Sequence, residues 1–320
     1  MKRFFTSVIF ISCSLLLWNC KDNDDNKEVK ERDRQEVYNK DISDIETFLK
    51  SNSVAVLESG VKFDSVAFES SNSIWKQSEY PLQSITVKNL PYATNTKTGK
   101  IAEVTDNVEY KVYYLVLNEG GGTIPSVHDN IFTEYTGYKL DRSVFDSYPF
   151  GFWSGYPANN AAAETISGYR RILEHMKMAS GVIENEDGTY TYDNPGRVLV
   201  FLPSGLGYFS SSKGSISAYT PIIFDIKSII SKEVDHDNDG ILSKYEDVNG
   251  NGDLWDDDTD GDGKPNFLDV DDDGDGYTTR EEITYTVQEN GETVKKIYDF
   301  DKIPNCQGGS VKKHLDKSCH

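Results

Sequence analysis

Between Asp235 and Glu282 the chain carries 18 acidic and 3 basic residues, a net of −15 out of −20 for all 320 residues. So much like charge in so short a stretch resists collapse, and without cations such a segment should stay extended. A solvated acidic tail would share this composition but not its pattern. Four times, an oxygen-bearing side chain takes alternate positions and glycine follows the third. The units are Asp235, Asp237, Asp239 and Gly240; Asp247, Asn249, Asn251 and Gly252; Asp258, Asp260, Asp262 and Gly263; and Asp271, Asp273, Asp275 and Gly276. Each glycine is followed by a further acid, Glu246, Asp258, Asp269 or Glu282 in turn, so Asp258 serves two units. Oxygens at loop positions 1, 3, 5 and 12, with a backbone carbonyl at position 7 (Ile241 in the first unit), enclose a hard cation, and glycine at position 6 permits the sharp turn. Structural Ca2+ is therefore the expected cofactor of residues 233–282.

Units 235–246 and 271–282 carry every position of an EF-hand loop. Flanking helices for paired EF-hands are absent and the loops run nearly head to tail. In this arrangement Asp258–Gly276 looks more like thrombospondin type-3 repeats, without the cysteines usual there. The resemblance implies that bound ions supply the order. Extracellular modules of this type bind at roughly 10⁻⁴–10⁻³ M, which suits a structural role rather than a sensor.

Lys2 and Arg3, then an apolar run from Phe4 to Trp18, suit an export signal over residues 1–19. The run is too short to span a bilayer, which takes about 20 apolar residues. Leu16–Cys20 resembles a bacterial lipobox, with Asn19 larger than the residue usual before the cysteine. The resemblance implies lipid on Cys20, enough to anchor the chain to a membrane without a transmembrane helix. Lys21–Asp25 is similar to the acidic tag that sends some lipoproteins to the outer cell surface. The expected location is the outer membrane, facing the periplasm or the cell exterior. Residues 20–40 then read as a charged tether. Cys306 and Cys319 remain, and a disulfide closing a small C-terminal loop is expected of them in an exported protein. No nucleic-acid partner is expected of a chain this acidic.

Within the mature chain a short amphipathic helix is predicted over Asp41–Lys50, opening an extension (41–107) in which no chemistry is legible. From Glu109 the signal sharpens. Tyr110–Leu117 and Ile131–Tyr135 read as strands, and 222–227 alternates as a half-buried strand. Between them Ile166, Tyr169, Leu173 and Met176 fall at helical spacing. The expected fold is α+β, an antiparallel sheet wrapped around a short helix over 108–232. A loop-rich calcium region follows, then a hairpin around Asn290-Gly291 within 283–320.

Glu134–Ser147 places Tyr135, Phe145 and Asp146 across a strand, a turn and a strand. It resembles the sequence that opens the ligand pocket of FKBP-type peptidyl-prolyl isomerases. The likeness runs on through Pro149–Gly155, Glu164–Tyr169 and Pro203–Tyr208. By that resemblance Tyr135, Phe145, Asp146, Phe150, Ile166, Tyr169, Tyr208 and Phe224 form the catalytic pocket, with Glu164, Thr165 and Ile216 meeting substrate. Phe150 would be a wall, Tyr169 the floor, and the Ile166 amide a donor to a substrate carbonyl. The departures are a tyrosine at 169 where the family has tryptophan, and a loop after Asp146 too short to carry the arginine that usually pairs with it.

The residue types suit the chemistry. Prolyl isomerisation crosses a barrier of about 18–20 kcal/mol set by amide resonance, and no bond is broken. No cofactor is needed for that step. An aromatic cavity weakens the resonance by desolvating the carbonyl, and a few preplaced dipoles hold the twisted amide. The resemblance thus implies an isomerase acting on proline-containing exported chains. The alternatives are a non-catalytic surface binding module that uses the same pocket, or a calcium-dependent spacer or adhesion protein.

Overall fold

The computed structural model describes residues 31–94, 101–158 and 165–319. The export signal, Cys20 and Glu164 lie outside these residues. Among those described, no helix is long and apolar enough to cross a membrane.

Helix α1 spans Arg34–Ser51 and so begins within the stretch read as tether. Asp33 accepts from the Glu36 amide and starts it early, and Val37 and Asp41 extend the buried face formed by Ile45, Phe48 and Leu49. A hairpin follows, β1 (Asn52–Leu57) and β2 (Gly60–Ser65), then β3 (Gln83–Val87) and the short pair β4 (Tyr92–Thr94) and β5 (Ile101–Glu103). The main strands are β6 (Tyr110–Asn118), β7 (Asn130–Lys139) and β8 (Val144–Ser154). After helix α2 (Ser167–Leu173) and the hairpin of β9 (Gly181–Glu184) and β10 (Tyr190–Asp193) come β11 (Gly196–Leu202) and β12 (Ile222–Lys232).

Six strands form one antiparallel sheet in the order β3-β6-β11-β12-β7-β8. On one face α2 packs Tyr169, Ile172 and Leu173 onto Val112, Val198, Val200, Leu202, Ile222 and Phe224. This is the expected antiparallel sheet around a short helix. The opposite face is covered too. There Ile45, Phe48 and Leu49 of α1, with Val61 and Phe63 of β2, bury Tyr113, Leu115, Leu199, Phe201 and Ile223. The half-buried reading of 222–227 is corrected by this second layer: Ile223 is fully buried and Asp225 is 5 % exposed. Asp225 is held there by Arg197, whose Nε and Nη2 donate to its two oxygens at 2.9 and 2.6 Å.

Asp41 links α1 to the pocket side of the molecule. Its buried Oδ2 accepts from the Ser204 amide at 2.7 Å and from the Ser204 hydroxyl at 2.6 Å. Those bonds fix the turn that leads into Tyr208. Asp41→Ala should cost about 1–3 kcal/mol, since it orphans two buried donors. A urea melt reads this, and an unchanged midpoint would place the anchoring elsewhere.

Beyond β12 the acidic stretch forms short 3-10 turns and ends in a single-turn helix, α3 (Thr279–Glu282), closed by a capping box between Thr278 and Glu281. The hairpin of β13 (Thr284–Glu289) and β14 (Glu292–Ile297) turns at Asn290-Gly291, and Cys306 is bonded to Cys319. Ile241, Ile283 and Ile303 form a small core beneath this region. Aromatics seat it on the sheet domain: Trp255 stacks on Tyr92 with ring centroids 4.0 Å apart, and Phe267 lies 5.3 Å from His128.

Candidate functional site

The sheet and α2 enclose a cavity of about 970 Å³. Three rings meet edge to face at its base. Tyr135 (β7) and Tyr169 (α2) are 5.9 Å apart, and each lies 5.4 Å from Phe224 (β12). Tyr169 is only 2 % exposed and is the floor, its hydroxyl bonded to Thr133 Oγ1 at 2.8 Å. Asp146 stands at the mouth and accepts from the Tyr135 hydroxyl at 2.6 Å and from the Ser147 amide at 2.9 Å. Burial, then that bond to the Asp146 carboxylate, raises Tyr135 above the ordinary phenol range, so it stays a donor at any physiological pH. Burial also raises Tyr208 on the opposite wall, with the charge of Asp146 adding to the effect. No basic side chain pairs with Asp146 among the described residues. Ile166 precedes α2 and lines the cavity beside Thr165, whose buried hydroxyl has no hydrogen-bond partner.

Three expected pocket residues are placed elsewhere. Phe150 is 89 % exposed. The cause is a bulge: Thr133 pairs with Phe152 but Tyr135 pairs with Tyr148, so β8 carries two extra residues there. Pro149 has no amide to offer the ladder, and Gly151 takes φ +72°, a conformation that glycine tolerates. Phe150 lies within the bulge itself and turns to solvent, and Phe152, 5.5 Å from Tyr135, is the wall instead. Phe145 braces Phe224 from behind at 5.5 Å and does not line the cavity. Ile216 is buried in the core on the α2 side, off the cavity wall.

Sequence reasoning missed the second wall, formed by Leu90, Tyr92, Val104 and Tyr156. Tyr156 locks to Tyr92 through both backbone groups, at 3.1 and 3.2 Å. Arg170 was missed as well. Fully buried, it donates to the carbonyls of Val127 and Asp129 and so pins α2 beneath the cavity. Its only signal was a charged residue on the inward face of a predicted helix.

The acidic units adopt one loop conformation four times. In each, the glycine amide donates to the Asp at position 1: Gly240 to Asp235, Gly252 to Asp247, Gly263 to Asp258 and Gly276 to Asp271. The residue at position 7 donates to the side chain at position 5, as Ile241 does to Asp239 and Asp253 does to Asn251. The four glycines have φ between +82° and +109°, which explains why no other residue stands there. Oxygens left over from these bonds gather in groups within 4.8 Å, formed by Asp235, Asp237 and Asp239, by Asp258, Asp260 and Asp262, and by Asp271, Asp273 and Asp275. Buried atoms without partners include Asp235 Oδ1, Asp237 Oδ2, Asp239 Oδ2, Asp271 Oδ1 and both oxygens of Glu246 and Glu282. Burial, with neighbouring carboxylates adding to it, pushes Glu246 up to about 11, and Asp237 and Glu282 up to about 8. An oxygen-only donor set with unmet buried charge fits a hard divalent cation.

Residues 236–313 match the family model described as BamM C-terminal, which spans both the acidic loops and the hairpin after them. Over 142 residues the chain is 29 % identical to the outer membrane protein MIP of Legionella longbeachae, a match covering 44 % of this chain and 51 % of that protein. The chain thus spans about half the length of this curated relative. Similar solved structures include a peptidyl-prolyl cis-trans isomerase from Pseudomonas syringae pv. tomato, at 20 % identity, 38 % of this chain, 76 % of that one and a TM-score of 0.30. FkpA from Escherichia coli is 19 % identical over 44 % of this chain and 52 % of its own, with a TM-score of 0.28. At these scores the fold assignment rests on the strand order and helix placement themselves.

Proposed function

We propose that the chain is an FKBP-type peptidyl-prolyl cis-trans isomerase of the outer membrane, exported and held there by lipid on Cys20, with calcium ordering its acidic loops. The observation that carries this reading is the edge-to-face trio of Tyr135, Tyr169 and Phe224, with Asp146 at its mouth. A proline ring fits an aromatic slot of this kind. Its preceding carbonyl, drawn out of water against Tyr135 and Phe152, loses solvation of its charge-separated form, and the amide twists more easily. The Tyr208 hydroxyl and the Ile166 amide serve as donors to the twisted carbonyl, and Asp146 supplies the opposing dipole. The clients are proline-containing exported polypeptides, whose unaided isomerisation takes tens of seconds. The similarity to the outer membrane protein MIP supports this reading.

The test is conversion of an X-Pro peptide by the purified protein. Asp146→Ala should lower kcat/KM about tenfold, equivalent to about 1.4 kcal/mol of transition-state stabilisation. Phe152→Ala should lower it as well, whereas Phe150→Ala should leave it unchanged. Conversion no faster than the peptide alone would overturn the enzyme reading. It would favour a non-catalytic binding module, a rival supported by the lack of a basic partner for Asp146.

A further inference from the structure

The first and fourth acidic loops meet in space. Asp271 and Asp273 belong to the group of the fourth loop, but Asp272 between them joins Asp239 and Glu246 of the first loop. One oxygen from each of these three lies within 4.8 Å of the others. The three side chains are 2 %, 2 % and 3 % exposed for Asp272, Asp239 and Glu246. Neither oxygen of Asp272, neither oxygen of Glu246, nor Oδ2 of Asp239 has a hydrogen-bond partner. Three buried carboxylates facing one another with five of their six oxygens unpartnered are costly, and a metal ion is the group that relieves this.

We propose that Asp272 is a ligand of the first loop's cation, so that one divalent ion joins residues 235–246 to residues 271–282 and closes the array on itself. This rests on the calcium reading above and extends it. Asp235 Oδ1 and Asp237 Oδ2 complete the set through the shared Asp239, which brings seven unpartnered carboxylate oxygens to this end of the array. Calcium takes six to eight oxygens in flexible geometry, whereas magnesium demands an octahedron and keeps its water. The donor count therefore selects calcium. Arg280, whose Nη1 donates to the Asn238 carbonyl at 3.0 Å, adds a positive charge beside a site rich in negative ones. Affinity in such loops follows ligand charge and rigidity. The first site draws on five carboxylates, three of them buried and two partly buried, whereas the group of Asp258, Asp260 and Asp262 is largely exposed. The joined site is accordingly the tightest of the array.

Calcium titration calorimetry on the full chain tests this, comparing wild type, Asp272→Asn and Asp262→Asn. Asp272→Asn should weaken the tightest class of sites at least about tenfold and spare the rest, while Asp262→Asn should touch only a weaker class. Melting curves supply a second readout. With chelator, Asp272→Asn should melt higher than wild type, because an acid buried among other acids is gone; in millimolar calcium it should melt lower, because a ligand is gone. Equal affinity of the tightest class in the variant and wild type would overturn the proposal. So would a shift of the same sign with and without calcium, which would mark Asp272 as merely structural. Failure of the wild type to bind calcium at all would instead overturn the calcium reading itself.

Discussion

Removing calcium from the full chain should lower its melting temperature sharply and release Trp255 from Tyr92, with a red shift of tryptophan emission. A ligand that binds only the folded state adds RT ln(1 + [L]/Kd), about 1.4 kcal/mol for each site at tenfold excess. Sites with Kd of about 10⁻⁴ M in about 1 mM calcium meet that condition, so four such loops would together contribute about 6 kcal/mol. This rivals the whole stability of an ordinary domain, about 5–15 kcal/mol. The chelated protein should also show an inverted pH response. Burial and like charge hold Glu246 near 11, Asp272 near 9, and Asp237 and Glu282 near 8. Unfolded carboxylates titrate near 4, so between pH 7 and 9 the folded state binds protons that the unfolded state has lost. Chelated protein therefore gains stability as pH falls from 9 to 7, above the range where histidines titrate, while the calcium-loaded protein stays flat. Melts with and without chelator at three pH values check both statements. Coincident curves would sink the calcium reading.

Arg197→Ala should cost about 3–5 kcal/mol, among the largest single-site effects in the sheet domain. The guanidinium forks onto both oxygens of Asp225 and sends a third bond, 2.8 Å, to the Leu57 carbonyl. It thereby ties β11 to β12 and both to the tip of the β1–β2 hairpin. Its loss leaves a carboxylate buried without a donor, and that penalty exceeds the worth of the pair. Replacing both partners by apolar side chains should hurt less than removing the arginine alone. Denaturant melts of the two single variants and the double variant form a cycle that separates these terms. A single-variant loss below about 1 kcal/mol would mean the pair behaves as if exposed.

The main sheet, the helix beneath it and the loop positions of the acidic array were legible because each rests on local pattern: alternation, helical spacing, glycine at a fixed offset. What escaped is what depends on distant segments. Phe150 and Phe152 would share one face of a regular strand, and only the bulge between the Tyr135–Tyr148 and Thr133–Phe152 pairs turns Phe150 out of line, a break in pairing that period-2 alternation does not announce. Ile223 and Asp225 looked solvent-facing because nothing in their own strand announces that α1 will cover them. Asp272 sits at an off-ligand position of its own loop, so only folding could reveal that it faces another. Tyr92 and Tyr156 carry no local signature at all.

The strand β3 was invisible as anything but a lead-in, yet it occupies the sheet's outer edge, pairing Gln83–Val87 with Tyr110–Tyr114. Together with α1 it acts as insulation. A chain beginning at residue 108 would keep every pocket ring on the sheet, but it would bare a row of unsatisfied amides and carbonyls along β6. It would also bare the apolar back face built from Tyr113, Leu115, Leu199 and Phe201. Such edges pair with their own kind. The extension therefore keeps the long β6 strand paired and the apolar back face covered, leaving only the five-residue β3 as the edge on that side.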